Sequence, residues 1–433
     1  MRNRRALWFV TAIILILDVY VFSVLQLVTR HFGGVFKIPV YTVYWSVCVL
    51  VVGVMLAFPY VRMSQKKLIV RNYVFAIIIG IVLAEMSASL FFVIDDIRRG
   101  IIWVFAQFGA GSSFIGVDGG IHRSVILSWL GLGVGGTLFA MLMYGFTNKY
   151  NYQVRRVKLS FDNLPPAFKG FKIVQLSDIH SGSLKNKEAV NKGVDIILKE
   201  HADLILFTGD LVNDRATEMN DYTDIFSRLR APMGVYSVLG NHDYGDYYAW
   251  PDKSETHRAA EAAAGKHVFT PMQKQSIEKL KEMQAQMGWR LLMNEHVVLE
   301  KNGQKIALIG IENWGGKGNF AKYGRMDLAH AGTEQYPFKI LMSHDPSHWD
   351  VEVRPKYPDI DLTLAGHTHG MQFGIELPRV KWSPVQWMYR NWAGLYEHGK
   401  QKLYVNRGFG FIGYPGRVGI LPEITVIELD TSN

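Results

Sequence analysis

The sequence predicts a four-helix transmembrane region followed by an α/β domain, and three observations carry that prediction. Apolar runs of bilayer-spanning length fill the first third of the 433 residues, at about 6–28, 39–61, 72–94 and 124–147. Beyond about residue 151, short β-branched runs alternate with amphipathic helices, which is typical of layered α/β domains. The charge divides at the same place, because residues 1–150 carry +8 of the chain's net +9. We therefore expect two domains, 1–150 in the membrane and 151–433 outside it.

The basic residues beside the apolar runs predict the orientation in the membrane. Lys and Arg are enriched before the first run, between the second and third, and after the fourth: Arg2, Arg4, Arg5, Arg62, Lys66, Lys67, Arg71, Lys149, Arg155, Arg156 and Lys158. Basic residues concentrate in cytoplasmic loops, so both chain ends and the polar domain are expected to face the cytoplasm from the inner membrane. The opposite loop, 95–123, contains an apolar stretch at 101–108 that predicts a segment lying among the lipid headgroups.

Two carboxylates fall near the middle of predicted spans. Asp18 lies in the first run and Glu85 in the third. A charge at that depth is costly, so each side chain is expected to face the bundle interior or to stay protonated. The two interpretations are a proton or ligand site and a helix–helix hydrogen bond, and the lack of a Lys or Arg within the spans favours the second. Gly131 and Gly135 predict close packing between helices.

The composition of the chain excludes a nucleic acid partner and a disulfide scaffold. Its net charge is only about +1, so it offers no basic surface for a nucleic acid backbone, and no nucleic acid partner is expected. Cys48 is the single cysteine, which excludes a disulfide scaffold.

The polar domain is predicted to be a succession of strands and helices. Strands are expected at 171–176, 203–208, 234–239, 289–293, 297–300, 305–311, 338–342, 361–364 and 423–429. Helices are expected at 188–200, near 217–230 and near 271–287. Ligands of such sheets collect at the carboxyl ends of the strands.

Five of these strand ends carry Asp, Asn or His. The residues are Asp178 and His180, then Asp210, then Asn241 and His242, then His344, and finally His367 and His369. Any one of these short motifs is usually a turn or a helix cap. Five independent coincidences of the same chemistry at the same structural position are not credible, so we predict that the residues form one site.

The residue types predict a metal site. Imidazole and oxygen ligands without sulfur suit Mn, Fe, Zn, Co or Ni better than Ca or Mg. Four His, two Asp and one Asn make seven ligands, which exceed the usual complement of one ion. Two ions about 3.5–4 Å apart that share a carboxylate can accommodate all seven. This two-metal arrangement is the one used for phosphoester displacement.

At these residues the sequence resembles the calcineurin-like metallophosphoesterase superfamily, whose ordered motifs are D-x-H, G-D, G-N-H-[DE], H and G-H-x-H. The resemblance covers about 155–433, and the later stretches 406–410, 415–417 and 422–423 look like its membrane-linked bacterial branch. It implies a four-layer αββα sandwich. It also implies that one metal ion is bound by Asp178, His180 and His369, the other by Asn241, His344 and His367, and both by Asp210. His242 resembles the catalytic histidine that protonates the leaving group while a bridging hydroxide attacks.

Some positions depart from the resemblance or leave alternatives open. Asn213 stands where protein phosphatases of the superfamily have the Asp that orients the catalytic histidine, so Asp214 and Asp243 are the candidates for that role here. The departure argues against a protein serine/threonine phosphatase.

The aromatic segment 244–270 predicts a lid or a substrate wall. Arg407 and Arg417 suit either phosphate binding or fold stabilisation, and His348 is expected to be a surface or capping residue.

Together these observations predict a membrane-anchored enzyme that hydrolyses a phosphate ester or pyrophosphate with two divalent metal ions. The short distance between the last span and the first motif favours an amphipathic or lipid-linked substrate over a soluble phosphorylated one. The alternative function is a membrane sensor or scaffold whose phosphoesterase domain binds a phosphorylated ligand without turnover.

Overall fold

The structure is a computed structural model. It describes residues 2–57, 65–108, 120–254, 267–316, 320 and 322–432. Contacts between residues divide the chain into two compact units, Met1–Tyr144 and Gly145–Asn433. We call these the membrane unit and the catalytic unit.

The membrane unit consists of long apolar helices: α1 (Arg2–Val28), α2 (Gly34–Ala57), α3 (Gln65–Gln107) and α4 (Val125–Gly145). In the described part of the chain, all four are long and apolar enough to cross a membrane. Residues 101–107 continue α3 without a break, and the position of 101–108 among the lipid headgroups stays a prediction. Ion pairs of Arg98 with Asp95 and of Arg99 with Asp96, one helical turn apart, stabilise α3 just before this stretch.

Small residues allow α3 and α4 to approach closely, as the sequence predicted. A side chain at Gly135 would overlap the carbonyl oxygen of Ala84, and one at Gly131 would meet Phe92 and Ala88. Helices inside a membrane gain little from hydrophobic burial, so this close fit contributes much of their attraction.

The catalytic unit contains two six-stranded sheets. The first has the spatial order β1 (Gln153–Phe161), β14 (Glu423–Thr431), β2 (Lys172–Leu176), β3 (Leu204–Phe207), β4 (Val235–Ser237) and β5 (Trp289–Leu291). The second has the order β12 (Gly394–His398), β13 (Gln401–Val405), β9 (Leu362–Ala365), β8 (Lys339–Met342), β7 (Gln304–Gly310) and β6 (Glu295–Lys301). A hairpin of β10 (Ile375–Leu377) and β11 (Val380–Trp382) lies apart from both. Strands β2 to β5 run parallel, as do β13, β9, β8 and β7.

Helices cover the outer faces of the two sheets. The first sheet packs against α5 (Lys187–Lys199), α6 (Thr223–Phe226) and α7 (Pro271–Gln286), and the second against α8 (Met326–His330) and the helical turns Trp349–Val353 and Arg354–Lys356. Between the sheets lies a dry core that includes Ile173, Leu206, Leu308, Ile340 and Leu364, all fully buried. These are the four αββα layers that the resemblance implied, and the predicted fold class is confirmed.

Most predicted elements lie within a few residues of their expected positions. The exceptions are the helix expected near 217–230 and the elements that were not predicted, which are strands β1 and β10 to β13 and helix α8. The helix expected near 217–230 is replaced by the 3₁₀ turn Ala216–Met219 and the short helix α6. Strand β1 was not predicted, because its sequence QVRRVKLSF is highly charged for a strand. It forms an edge strand beside β14, where its Lys and Arg side chains stay in contact with water.

Candidate metal centre

The predicted site residues follow the carboxyl ends of neighbouring parallel strands. In the first sheet, Asp178 follows β2, Asp210 follows β3, and Asn241 follows β4. In the second sheet, His344 follows β8, and His367 follows β9. Parallel strands end at the same edge, so this topology brings residues from five separate segments to one place.

The backbone is strained where it turns these side chains inward. Five of the predicted ligands have positive φ angles: Asp178 (53°), His180 (48°), Asp210 (62°), His367 (72°) and His369 (49°). Left-handed backbone costs a residue with a side chain about 1–2 kcal/mol. Hydrogen bonds between the loops hold it in place, including those from the Asp178 amide to Gly209 O (2.8 Å) and from the His180 amide to Asp210 O (3.1 Å). Concentrated strain of this kind is characteristic of functional sites.

Two glycines in the motifs leave room for the carboxylates. A Cβ atom at Gly240 would overlap the Asp210 side chain, and a Cβ atom at Gly366 would overlap Asp178 Oδ2 and the Ser177 side chain. The glycine of G-N-H and that of G-H-T-H are therefore required by the close approach of the neighbouring loop.

One group of ligand atoms comes from Asp178, His180 and His369. All three side chains are buried, and one ligand atom of each lies within 4.8 Å of the others. His369 Nε2 is 3.2 Å from Asp178 Oδ1, and the rings of His369 and His180 stack at 4.9 Å.

A second group comes from Asp210, His344 and His367, whose ligand atoms also lie within 4.8 Å of one another. Asn241 joins this group, because its Oδ1 is 2.8 Å from His367 Nδ1. Asp210 Oδ2 is 3.2 Å from His344 Nε2 and 3.6 Å from His180 Nε2. Asp210 therefore lies between the two groups.

Several buried nitrogen atoms in these groups have no hydrogen-bond partner in the described part of the chain. They are Nδ1 and Nε2 of His180, Nε2 of His344 and Nε2 of His369. Orphaned polar atoms in a protein interior are costly unless something binds them. A set of imidazole nitrogens and carboxylate oxygens of this kind fits divalent transition-metal ions.

The electrostatics of the site also suit cations. Burial alone would raise the pKa of Asp178 and Asp210, but the neighbouring imidazoles of His369 and His344 hold both pKa values well below their usual range. Burial lowers the pKa of His180 and His369, which keeps them neutral and able to bind metal.

His344 is the exception among the histidines. Burial lowers its pKa, but the charge of Asp210 outweighs burial and raises the pKa of His344 to about 10. Positive charge is therefore stabilised beside Asp210 Oδ2, whether a proton or a metal ion carries it.

His242 lies at the edge of the two groups and is oriented by the main chain. Its Nδ1 is 2.7 Å from the carbonyl oxygen of Asn213, and its ring is 4.9 Å from that of His180. Neither acidic candidate takes this role. Asp243 instead accepts hydrogen bonds from the backbone amides of Asp210, Leu211, Val212 and Gly240, and so shapes the loop beneath.

Comparison with known proteins agrees with this geometry. Residues 171–371 match the family of calcineurin-like phosphoesterases, and residues 3–149 match a probable calcineurin-like phosphoesterase transmembrane domain. The chain belongs to the calcineurin-like phosphoesterases. It is therefore a metal-dependent phosphoester hydrolase with a transmembrane region.

Relatives of this phosphoesterase occur in bacteria and animals. The uncharacterized metallophosphoesterase YkuE of Bacillus subtilis is 29% identical over 280 residues, which cover 62% of this chain and 82% of YkuE. The transmembrane protein with metallophosphoesterase domain of Danio rerio is 26% identical over 299 residues, which cover 67% of this chain and only 60% of that protein. Phosphodiesterase YaeI of Escherichia coli is 24% identical over 282 residues, which cover 64% of this chain and 88% of YaeI.

Aromatic residues surround the phosphoesterase site, and most of them had no signal in the sequence. Tyr389 Oη is 2.8 Å from His367 Nε2, and Phe320 contacts the same imidazole edge-on at 4.9 Å. Tyr247 accepts a hydrogen bond from Asn241 Nδ2 (3.0 Å) and packs on His242. Of the aromatic segment 244–270 predicted as a lid or a substrate wall, Tyr247 thus contacts the site, and residues 255–266 lie outside the described residues.

Arg407 and Arg417, for which the sequence left phosphate binding and fold stabilisation as alternatives, stabilise the phosphoesterase fold. Arg407 pairs with Glu423 (2.5 Å) and Glu376 (2.5 Å), and Arg417 is fully buried and donates to the carbonyl oxygens of Arg407 (2.7 Å) and Gly408 (3.1 Å). Their guanidinium groups are engaged within the protein, so the phosphate-binding alternative has no support.

The prediction for His348 was wrong. The side chain is fully buried, bonded through Nδ1 to Ser343 Oγ (2.9 Å), and stacked against Trp314. It belongs to the packing under the second sheet.

Proposed function

We propose that this protein hydrolyses a phosphate ester or pyrophosphate of an amphipathic substrate, lipid-linked or otherwise, at a dinuclear metal centre on the cytoplasmic face of the inner membrane. The observation that carries the proposal is the position of Asp210 between two convergent groups of ligands. One carboxylate shared between two sets of histidines is the arrangement expected of a two-metal phosphoesterase.

The seven predicted ligands divide between two metal positions in this proposal. Asp178, His180 and His369 would hold one ion, and Asn241, His344 and His367 the other, with Asp210 bound to both. The donor set admits Mn, Fe, Zn, Co or Ni. Two divalent ions lower the pKa of a bound water and neutralise phosphate charge as a nucleophile attacks.

His242 is placed to supply a proton to the leaving oxygen. The Asn213 carbonyl can only accept, so the proton on Nδ1 of His242 stays there and the other ring nitrogen, Nε2, is the one that exchanges protons. General acid catalysis of this kind typically contributes about 10²–10⁴-fold to a rate.

An exposed apolar segment beside the centre supports an amphipathic substrate. Between His369 and Tyr389, six large apolar side chains are about half exposed or more: Met371, Ile375, Leu377, Val380, Trp387 and Met388. Isolated apolar residues are normal on protein surfaces, but a cluster beside a reactive site is typical of apolar ligand contact. An acyl or prenyl chain has the chemistry to cover it.

The proposed location rests on the chain's own connectivity and charge. Only residues 146–152 connect α4 with β1, so the catalytic unit is tethered closely to the last span. The concentration of Lys and Arg on the side of both termini supports the cytoplasmic orientation.

The direct test is hydrolysis by the full-length protein in detergent with Mn²⁺. Bis-p-nitrophenyl phosphate, p-nitrophenyl phosphate and a short-chain phospholipid are assayed in parallel, because the preferred ester reports the substrate class. We expect turnover by the wild type and none by an Asp210→Ala, His242→Ala double variant. Asp221→Ala, at a side chain that is 79% exposed, is the matched control. No turnover of any ester by protein with two bound metal ions would replace the proposal with the sensor function.

The amphipathic substrate is tested separately at the exposed apolar segment. A Trp387→Ser, Met388→Ser variant is expected to lower kcat/KM for the phospholipid and to leave that for p-nitrophenyl phosphate unchanged. Leu328→Ser on α8, at a side chain that is 55% exposed, is the control for loss of a surface apolar group. Equal effects on both substrates would mean that the segment does not bind the substrate.

A further inference from the structure

A second convergent cluster of ligand-type side chains lies inside the membrane unit. Asp18 comes from α1, Cys48 from α2 and Glu85 from α3, and one ligand atom of each lies within 4.8 Å of the others. All three side chains are buried, with exposed fractions of 2%, 4% and 8%. Three helices thus each contribute one polar side chain to a single point in an otherwise apolar bundle.

The two carboxylates of this cluster are incompletely satisfied. Asp18 Oδ2 and Glu85 Oε2 are buried, and neither has a hydrogen-bond partner in the part of the chain that the structure describes. Among the residues that the structure describes, no Lys or Arg forms an ion pair with either group. Two unpaired carboxylates at this depth are too costly to remain charged, so the cluster must hold protons or a cation.

Tyr44 fixes the direction in which Glu85 points. Its hydroxyl lies 3.0 Å from Glu85 Oε1 and 2.8 Å from the main-chain oxygen of Asp18. Tyr44 therefore holds Glu85 through Oε1, and Oε2 is available to bind a ligand at the cluster. Metal-binding carboxylates are commonly oriented by an outer hydrogen bond of this type.

A cavity leads to the cluster. It has a volume of about 530 Å³, and its polar lining residues are Tyr44, Cys48 and Glu85, whereas the rest of the wall is apolar and includes Pro39, Val43 and Ile81. A metal site needs room for a further ligand, and this cavity supplies it beside Cys48 and Glu85.

We propose that Asp18, Cys48 and Glu85 bind one divalent transition-metal ion of the zinc class, which ties α1, α2 and α3 together. A thiolate beside carboxylates suits zinc, cobalt or ferrous iron, whereas Ca²⁺ and Mg²⁺ prefer oxygen ligands alone. The charges balance when the Cys48 thiol and one of the two carboxyl groups release their protons to water as the divalent ion binds, while the other carboxyl group keeps its proton. This site is independent of the phosphoesterase centre.

The single cysteine makes a selective experiment possible. Cys48 is the chain's only sulfur ligand of this type, so a thiolate-to-Co²⁺ charge-transfer absorption in the near ultraviolet can arise only from the membrane cluster. The full-length protein, without a histidine tag, is purified in detergent with a thiol-free reductant, stripped of metal and titrated with Co²⁺. We expect the band to grow to saturation at one ion per chain.

Variants separate this site from the phosphoesterase centre. Cys48→Ser should abolish the band and lower the bound metal by one ion per chain. An Asp18→Asn, Glu85→Gln double variant should lose the band or require at least tenfold more Co²⁺. Asp210→Asn should keep the band, whatever happens to hydrolysis.

Two results would overturn the proposal. One is a wild-type protein that binds Co²⁺ at the phosphoesterase centre without any thiolate band. The other is a band that survives unchanged in the Asp18→Asn, Glu85→Gln variant. The first would mean that the two carboxyl groups share a proton and form a helix–helix contact only. The second would mean that Asp18 and Glu85 are not ligands of the ion. The first result needs no variant, so misfolding of a mutant cannot hide it.

Discussion

The phosphoesterase centre and the cluster in the membrane unit are both convergent sets of ligands, but they are built by opposite means. At the centre, loops after five strands contribute the ligands, and five of the ligands have positive φ angles. In the membrane cluster, three regular helices contribute one side chain each, and no described residue of the membrane unit has a positive φ angle. The loops of the centre bring many ligands together, but their backbone is strained. A regular helix is unstrained, but it contributes only one side chain to the cluster.

The comparison indicates whether a substitution at each kind of site should affect chemistry or packing. Loops at a sheet edge bring the seven predicted ligands and His242 together in one site, so a single substitution there should affect chemistry far more than folding. Helices inside a membrane must satisfy every backbone group internally, so changes there should affect packing first. The following predictions test this contrast, from the largest expected effect to the smallest.

The largest effect is expected at Asp210, because it lies between both ligand groups. Asp210→Asn keeps the shape of the side chain but removes its charge, and we expect the rate to fall by about 10⁴-fold, as is typical when a central catalytic group is lost. The fall in rate is measured as steady-state hydrolysis of bis-p-nitrophenyl phosphate with Mn²⁺. Asp221→Asn is the control, and a loss below tenfold would contradict the bridging position.

The next effect is expected at His242 and should depend on the leaving group. His242→Ala removes the proton donor, so hydrolysis of an alkyl phosphate ester should fall by about 10²–10³-fold. A p-nitrophenyl ester has a leaving group that needs no proton and should be affected much less. Bound metal, measured by elemental analysis, should not change. An equal loss on both esters would assign His242 to phosphate binding instead.

A packing effect is expected in the membrane unit at Gly135. A leucine at this position would overlap the backbone of α3, so Gly135→Leu should lower the free energy of unfolding by about 1–3 kcal/mol, the usual cost of overpacking. Gly133→Leu is a matched control, because no atom lies within 4 Å of the position of its Cβ. Thermal unfolding in detergent measures both, and kcat per folded molecule should stay at the wild-type value. Equal destabilisation by both variants would contradict close α3–α4 packing.

A pH-dependent effect is expected at His348, which is buried but belongs to neither cluster. Burial lowers the pKa of His348 to about 3. Its folded-state pKa is thus below the unfolded value, so the contribution to stability is present above pH 6.5 and is lost as the pH falls toward 3. Between pH 7 and pH 5 the loss amounts to about 2 kcal/mol.

Replacement of His348 should remove this dependence. In the His348→Asn variant, the difference in Tm between pH 7 and pH 5 should be smaller than in the wild type, although the Tm itself is lower at neutral pH. His398→Asn, at an exposed position, is the control. An unchanged difference in Tm would mean that His348 does not account for acid lability.

The smallest effect is expected at Tyr389, whose hydroxyl group contacts His367. Tyr389→Phe removes the hydrogen bond to Nε2, and loss of an outer hydrogen bond of this type lowers metal affinity by about 10-fold or somewhat more. We expect activity to need more Mn²⁺ for half-saturation and kcat to be restored at high Mn²⁺. Tyr357→Phe, under the second sheet, is the control. A loss of kcat that metal does not restore would place Tyr389 in contact with the substrate.

Much of the fold was predictable, because the predicted elements depend on local patterns. Apolar runs of bilayer length gave the four spans, and alternating strands and helices gave the layers, whereas the charged edge strand β1 was missed. The apolar spacing at 217–230 is helical and predicts one helix, but the residues form a 3₁₀ turn and the short helix α6, which pack against α7 and the first sheet. The assignment of the seven ligands to two metal ions stays a prediction that the structure supports by proximity.

The sequence by itself determined which residues follow the strands, what metal chemistry they suit and which segments are long and apolar enough to cross a membrane, because these depend on residue type and spacing. Only the tertiary structure showed that the Asn213 carbonyl orients His242, that Tyr389 and Phe320 border His367, and that Asp18, Cys48 and Glu85 meet. A main-chain carbonyl has no signature in the sequence, and residues on separate helices or strands become neighbours only through packing. Contacts of both kinds are therefore decided by the fold as a whole.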